Sequence, residues 1–340
     1  MRTISAIAFA AVLLGSSVHP AAAATTVICV NAGDAVDFQT QLDNAVASGG
    51  ATTLEVPRGT YHLNGNQLVF NATSMSQGQL DITGGYSSDC STLIKNPALT
   101  IIDGDNLSGV LSLTSSGGVS VRYLTIQNGL KPERAGLNIT DSGGGVIVDY
   151  NIMRNNRASD ETAGLGVYVT GTGNIHVDGN LIADNSANTN VSGGDVENDG
   201  SGDIYITNNT VVDNAITGPL LNGYGGLVAF GNSFVSNNIF WGNTSLDISA
   251  SGAALANNDY ATLGGTPGSN TGYQNVDPQF SSATDFHLLP ASPLLGAGTL
   301  TPAGNLPTID IEGHPRSYNG FVDMGAYERG DEIFADGLGD

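Results

Sequence analysis

Apolar and polar residues alternate in five segments between Val119 and Asn243, and the alternation recurs at a nearly fixed spacing. The segments are VSVRYLTIQNG (119–129), VIVDYNIMRNN (146–156), IHVDGNLIADN (175–185), IYITNNTVVDN (204–214) and SFVSNNIFWGN (233–243). Their starts lie 27, 29, 29 and 29 residues apart, a period that indicates a stacked repeat. Position one is Val119, Val146, Ile175, Ile204 and Ser233; position three is Val121, Val148, Val177, Ile206 and Val235. Apolar residues two apart share one face of a strand, so these positions predict one inward column per coil. Position six is Leu124, then Asn151, Asn180, Asn209 and Asn238, and position eleven is Gly129, then Asn156, Asn185, Asn214 and Asn243. Recurrent Asn suits left-handed corners, and its amide can bond from one coil to the next. A third strand-like piece follows: LNIT (137–140), GVYV (166–169), DVEN (195–198), LVAF (227–230) and LDIS (246–249). Three short strands per coil with Asn corners predict an all-β, single-stranded, right-handed parallel β-helix. A leucine-rich repeat would need a Leu-x-x-Leu-x-Leu ladder, and a propeller blade about forty residues per repeat.

The ends of the chain carry other patterns. Residues 1–24 read as a signal peptide, with Arg2 as the positive start, Ile4 to Leu14 as the apolar run and Ala22-Ala23-Ala24 as the cleavage site. That run is too short for a membrane span, and no later segment is long and apolar enough. Residues 25–80 form an N-terminal cap and first coil. Within it, Asp34 to Ser48 predicts a helix with Phe38, Leu42 and Ala45 on one face and Gly49-Gly50 at its end. TTLEVPRGTYHL (52–63) reads as the first strand and turn of the stack. The solenoid proper is assigned to 81–256, a C-terminal cap with loops to 257–328, and a flexible tail to 329–340.

Composition narrows the partners. With 47 Gly and 12% charged residues in 340, the chain suits one large solenoid with many turns. Loss of Arg2 with the leader leaves 9 basic against 32 acidic residues, a net charge of 9 − 32 = −23. Nucleic acid and anionic membranes are thereby disfavoured, and so are polyuronates unless a cation intervenes. In an exported chain the pair Cys29 and Cys90 predicts a disulfide in the cap, with two free thiols as the alternative. A monomer is expected.

Several stretches carry a resemblance: ITGGYSSDC (82–90), LTIIDGDNLSG (99–109), VSVRYLTIQNG, DPQF (277–280), DFHLLPASPLLGAG (285–298) and IDIEGHPRSYNGFVDMGAYE (309–328). Together they resemble secreted bacterial proteins of the pectin-lyase-like superfamily, in particular right-handed β-helix proteins with a choice-of-anchor Q domain. The resemblance covers most of the mature chain and implies a C-terminal anchoring or sorting region. That superfamily holds polysaccharide lyases, hydrolases, epimerases, adhesins and stalks, so membership implies no single activity.

If positions one and three point inward, positions two and four point outward, and equivalent residues stack about 4.8 Å apart. Position two is Ser120, Ile147, His176, Tyr205 and Phe234; position four is Arg122, Asp149, Asp178, Thr207 and Ser236. The expected site is an exposed strip. Its substrate-binding residues are Tyr205 and Phe234, stacking on sugar rings; its catalytic candidates are His176, Asp178, Asp149 and Arg122. Two carboxylates one coil apart repel, so one is expected to hold a proton or a cation. The alternative is an outward ladder that only stabilises the sheet. At position ten, Asp184 above Asp213 is the candidate Ca²⁺ pair, with a hydrogen-bonded turn as the alternative. RASDETAGLG (157–166) and SGGDVENDGSGD (192–203) bring Asp160, Glu161, Asp195, Glu197, Asp199 and Asp203 to neighbouring coils, as a Ca²⁺-binding or simply solvated surface. No GxSxG, HExxH or Walker motif occurs, and His19, His62, His176, His287 and His314 show no ligand spacing. The expected function is binding or processing of extracellular polysaccharide, by lyase or hydrolase chemistry if catalytic. The rival is a non-enzymatic surface or adhesive scaffold.

Overall fold

The computed structural model describes residues 25–73, 77–218 and 223–330. Each coil runs through three parallel sheets. The first contains Val119–Arg122, Val146–Asp149, Ile175–Asp178, Ile204–Thr207 and Ser233–Ser236 among its 10 strands. The second has 7 strands, including Thr125–Gln127, Ile152–Arg154 and Leu181–Ala183, and the third has 8, including Leu137–Asp141, Leu165–Val169, Gly194–Asn198 and Leu227–Phe230. A fourth ladder of two-residue strands, Leu130–Lys131 to Ala215–Ile216, fills part of the polar connection between the second and third sheets.

The register follows the apolar period. Val121, Val148, Val177, Ile206 and Val235 pair in sequence across the first sheet, and all are fully buried. Ile126, Met153, Ile182, Val211 and Phe240 from the second sheet and Ile139, Val167 and Val196 from the third meet them in one continuous core. Burying each such side chain contributes roughly 1.5–3 kcal/mol relative to exposure.

The corners divide their work between two residues. The backbone turns left-handed at position five (Tyr123, Tyr150, Gly179, Asn208, Asn237) and at position ten (Asn128, Asn155, Asp184, Asp213, Gly242). In the second to fifth coils the Asn that follows each of these is not itself left-handed, which corrects the expected corner role; it points inward as a ladder instead. Asn180 Nδ2 donates to Val148 O at 2.7 Å and to Asn209 Oδ1 at 3.0 Å, and Asn209 repeats the pattern on Asn238. A parallel ladder joins Asn156, Asn185, Asn214 and Asn243. Buried amides satisfied in this way hold both register and corner.

At the N-terminus, Thr26–Cys29 pairs with Thr52–Pro57, so the stack begins one strand earlier than the sequence indicates. The helix spans Ala35–Ser48, is capped by the Asp34 side chain and ends at left-handed Gly49; Phe38, Leu42 and Ala45 are its buried face. Cys29 and Cys90 are disulfide-bonded across 61 residues. Replacing both by Ala should lower stability by about 4 kcal/mol on the loop-entropy account, read as a fall in the urea midpoint. A midpoint unchanged by the double substitution would show that the cap closes without the bond.

Parallel pairing continues to Ser269–Thr271. The remaining chain does not cap the open end alone; it turns back along the outside of the stack. Phe286, Ile311 and Ala326 pack over Tyr123, Tyr150, Ile152 and Leu181 at the corner between the first two sheets. Asn208 Nδ2 donates to Asp323 O at 3.0 Å, and Asn237 exchanges two hydrogen bonds with Thr299. Among the described residues, no helix is long and apolar enough to cross a membrane.

Candidate functional site

The first sheet brings the expected residues together. His176, Tyr205 and Phe234 pair in register and stack, with ring centroids 4.9 and 5.4 Å apart. Arg122 Nε lies 3.3 Å from Asp149 Oδ2, and His176 Nδ1 lies 3.5 Å from Asp178 Oδ2. Burial, then the neighbouring Asp178, pushes Asp149 up to about 7 against the opposing pull of Arg122. Burial also raises Asp178, while the Asp178 carboxylate raises His176. Asp149 Oδ1 and Asp178 Oδ1 are both buried without a hydrogen-bond partner, a setting that disfavours two negative charges on neighbouring coils.

This strip is half-buried rather than exposed. Asp149 and Asp178 keep only 15% and 14% of their side-chain surface. Gly304, with φ +83°, lies so close to Tyr205 that a Cβ there would sit 2.5 Å from Tyr205 Cδ1. Thr299, Pro302 and Ala303 stand beside Phe234, leaving a cavity of about 220 Å³. The returning C-terminal segment, tied to Asn237, therefore uses the rings as a platform. The sequence could not show this, because the segment lies outside the repeat.

Asp184 and Asp213 are exposed residues at left-handed corners, and the next residue in their column is Gly242. Among the described residues, clusters of three metal-type donors occur elsewhere, at His62, Asp103 and Asp105 and at Asp310, Glu312 and His314. The loop acids are dispersed among separate partners. Glu161 accepts from Arg134 at 2.8 Å, Asp199 from Tyr168 Oη at 2.8 Å, and Asp203 from Tyr205 Oη at 3.0 Å.

Asp195 and Glu197 stand apart, because they lie on the strand Gly194–Asn198 and face outward from the third sheet. Across the coils, Asn138, Gly166, Asp195 and Val228 form one column, and Thr140, Tyr168, Glu197 and Phe230 the next. Burial, then Glu197, pushes Asp195 up to about 7, with Arg134 opposing. Burial also raises Glu197, helped by Asp199. Asp195 Oδ1 is buried without a partner, and Gly166 leaves a notch of about 20 Å³ lined by Arg134, Thr162, Tyr168, Asp195 and Glu197. A Cβ at Gly166 would press on Asn138 Oδ1 at 3.2 Å and close the notch. Phe230 stands beside Glu197 with 49% of its surface exposed. Sequence reasoning missed Arg134, Tyr168 and Phe230; reading the third strand-like pieces as outward columns, as for the first, would have found the last two.

Residues 79–263 match the right handed beta helix region family, more than half of the chain, and the protein belongs to that family. Among solved structures, the pectate lyase Pel9A is similar with a TM-score of 0.40 and 12% identity, over 90% of this chain and 96% of that one. No curated protein matches.

Proposed function

We propose that the protein is exported and binds a neutral extracellular polysaccharide on the outer face of its third sheet, where Asp195 protonates a glycosidic oxygen. The observation that carries this reading is Asp195, held near neutrality beside Glu197 and bordered by Tyr168 and Phe230. A general acid works best with a pKa near the working pH, and glycoside hydrolysis uses two carboxyl groups in different protonation states. Tyr168 and Phe230 lie two coils apart, about 9.6 Å by the strand spacing, so that each can meet a sugar face with Glu197 between them. The acidic surface and net charge favour a neutral glycan over a polyuronate. Export is supported by the leader pattern in residues 1–24, which lie outside the described residues, and by the disulfide, a bond of oxidising compartments.

The scaffold reading has its own observation. The ring strip of the first sheet is occupied by the chain's own segment at Gly304, as a stalk with a docked C-terminal region would require. On that reading, residues 257–328 form the choice-of-anchor Q-like region, presenting whatever follows for anchoring.

Neutral glycans assayed for binding and for new reducing ends separate the two. Phe230→Ala and Tyr168→Ala are each expected to weaken binding about fivefold, near 1 kcal/mol, with Tm unchanged. Asp195→Asn should retain binding and lose release of reducing ends. If no neutral glycan binds, or both aromatic variants bind as wild type does, the third-sheet site is wrong and the scaffold reading replaces it.

A further inference from the structure

We propose that Asp310, Glu312 and His314 form a binding site for a divalent metal ion of the zinc class, at the edge of a cavity of about 600 Å³ in the C-terminal region that Glu312 and His314 line and behind which Asp310 is buried. This site is separate from both sheet faces and does not depend on the polysaccharide reading.

The three residues are spaced two apart in the segment IDIEGH (309–314). One donor atom from each lies within 4.8 Å of the other two. His314 Nδ1 is 3.4 Å from Asp310 Oδ2 and 3.9 Å from Glu312 Oε2. Metal–ligand bonds of about 2.0–2.2 Å place tetrahedral donors roughly 3.3–3.6 Å apart; the His314–Asp310 pair fits, the His314–Glu312 pair needs a shift of a few tenths of an ångström, and the Asp310–Glu312 pair lies within 4.8 Å. The His314 side chain, 62% exposed, is free to make that shift.

Asp310 is fixed. Its Oδ1 accepts the backbone N–H groups of Glu312 at 3.0 Å and His314 at 2.7 Å, and its Oδ2 accepts that of Glu328 at 3.1 Å. Glu312 is held by His287, whose Nε2 lies 3.1 Å from the same Oε2 while its Nδ1 faces Asp285. The His287 ring is itself held against Tyr327, with centroids 4.1 Å apart. Metal ligands are commonly positioned by such outer hydrogen bonds.

The independent observation is the cavity. His287, Glu312, His314, Tyr318, Tyr327 and Arg329 line it, and its volume is that of a small-molecule pocket. Three protein ligands leave a fourth coordination position, which is the arrangement of an open zinc site. One imidazole with two carboxylates favours zinc-class ions over Ca²⁺, which takes six to eight oxygens. The other donor cluster lacks the cavity: none of the described cavities includes His62, Asp103 or Asp105.

The test is isothermal titration of the chelator-treated mature protein with Zn²⁺ and, separately, Ca²⁺. One Zn²⁺ per chain is expected, with Ca²⁺ at least tenfold weaker. His314→Ala and Glu312→Gln should each weaken Zn²⁺ binding by tenfold or more, and His287→Ala by about 10–100-fold through the outer hydrogen bond. His62→Ala should bind as wild type does. Circular dichroism of each metal-free variant checks that it is folded, and Co²⁺ substitution gives a visible spectrum that the His314 variant should lose. Absence of stoichiometric Zn²⁺, preference for Ca²⁺, or unchanged affinity in folded His314→Ala and Glu312→Gln proteins would each overturn the site.

Discussion

Replacing Arg316 by Met is expected to destabilise the protein by about 3–5 kcal/mol and to free the C-terminal segment from the outside of the stack. Arg316 is 1% exposed, the largest of the fully buried side chains. Its Nη1 donates to Gly325 O at 3.0 Å and its Nη2 to Ala326 O at 2.7 Å, while Glu328 Oε2 lies 3.7 Å from Nη1. Met fills the volume but takes one donor each from Gly325 O and Ala326 O, which keep Asn208 Nδ2 and the Ile311 N–H, and removes the Arg316 Nε donor of Ile309 O. It also strips the buried Glu328, already pushed up to about 8 by burial, of its cation; breaking one side of a buried pair in this way is the costly case. The effect spreads, because the same short stretch binds the stack. Gly325 N donates to Asn237 O at 2.8 Å, and Ala326 N to Thr210 Oγ1 at 3.0 Å. Arg316→Lys keeps the charge but loses the planar fork, so it should recover only part of the loss. Urea unfolding gives the energy, and limited proteolysis between residues 289 and 325 reports the release. A Met variant within 1 kcal/mol of wild type, with unchanged proteolysis, would show that the segment is held without this group.

How far the sequence carries depends on whether a feature repeats. Val121, Val148 and Val177 were legible because period-two burial recurs at each coil, and the Asn columns because the same amide is needed at the same corner. Their division of labour was not legible: the left-handed turn falls on Tyr150, Gly179 and Asn208, one residue before each ladder Asn. Asp34 and Gly49 declared the helix ends through ordinary capping chemistry. What failed was contact between repeat and non-repeat. Gly304 meets Tyr205 through its backbone, and Asn208 reaches Asp323 across 115 residues, so no local pattern encodes either. Asp195 and Glu197 were read both in a strand-like piece, 195–198, and in an acidic stretch, 192–203, because Val196 alone marks their strand as apolar-inward. The donors around His314 escaped a search for histidine ligand spacing, since Asp310, Glu312 and His314 are gathered by a tight turn closed by an isolated bridge between Ile309 and Pro315.

Raising the pH from 5 to 8 is expected to lower the melting temperature, against the common pattern in which ionised, paired carboxylates stabilise the native state. Burial pushes Asp149 to about 7, Asp195 to about 7 and Asp259 to about 6, above the ordinary 3.8 of an unfolded aspartate. Between those limits the folded chain binds more protons than the unfolded one, so stability falls as pH rises. The contribution is fully present below about 4 and is lost once the pH passes about 7. Each pKa unit corresponds to about 1.4 kcal/mol, which bounds Asp149 alone at roughly 4 kcal/mol. Its coupling to Asp178 makes the two contributions non-additive. Asp149→Asn isolates the pair: an amide removes the second negative charge beside Asp178 and can still accept from Arg122. That variant is expected to be about 2 kcal/mol more stable than wild type at pH 8 and to show a shallower slope between pH 5 and 8. Melting curves of both proteins across this range decide the matter. A wild-type Tm that climbs with pH, or an Asn variant that keeps the full wild-type slope, would mean that the buried carboxyl groups of the first sheet are ionised and paired, with no proton between them.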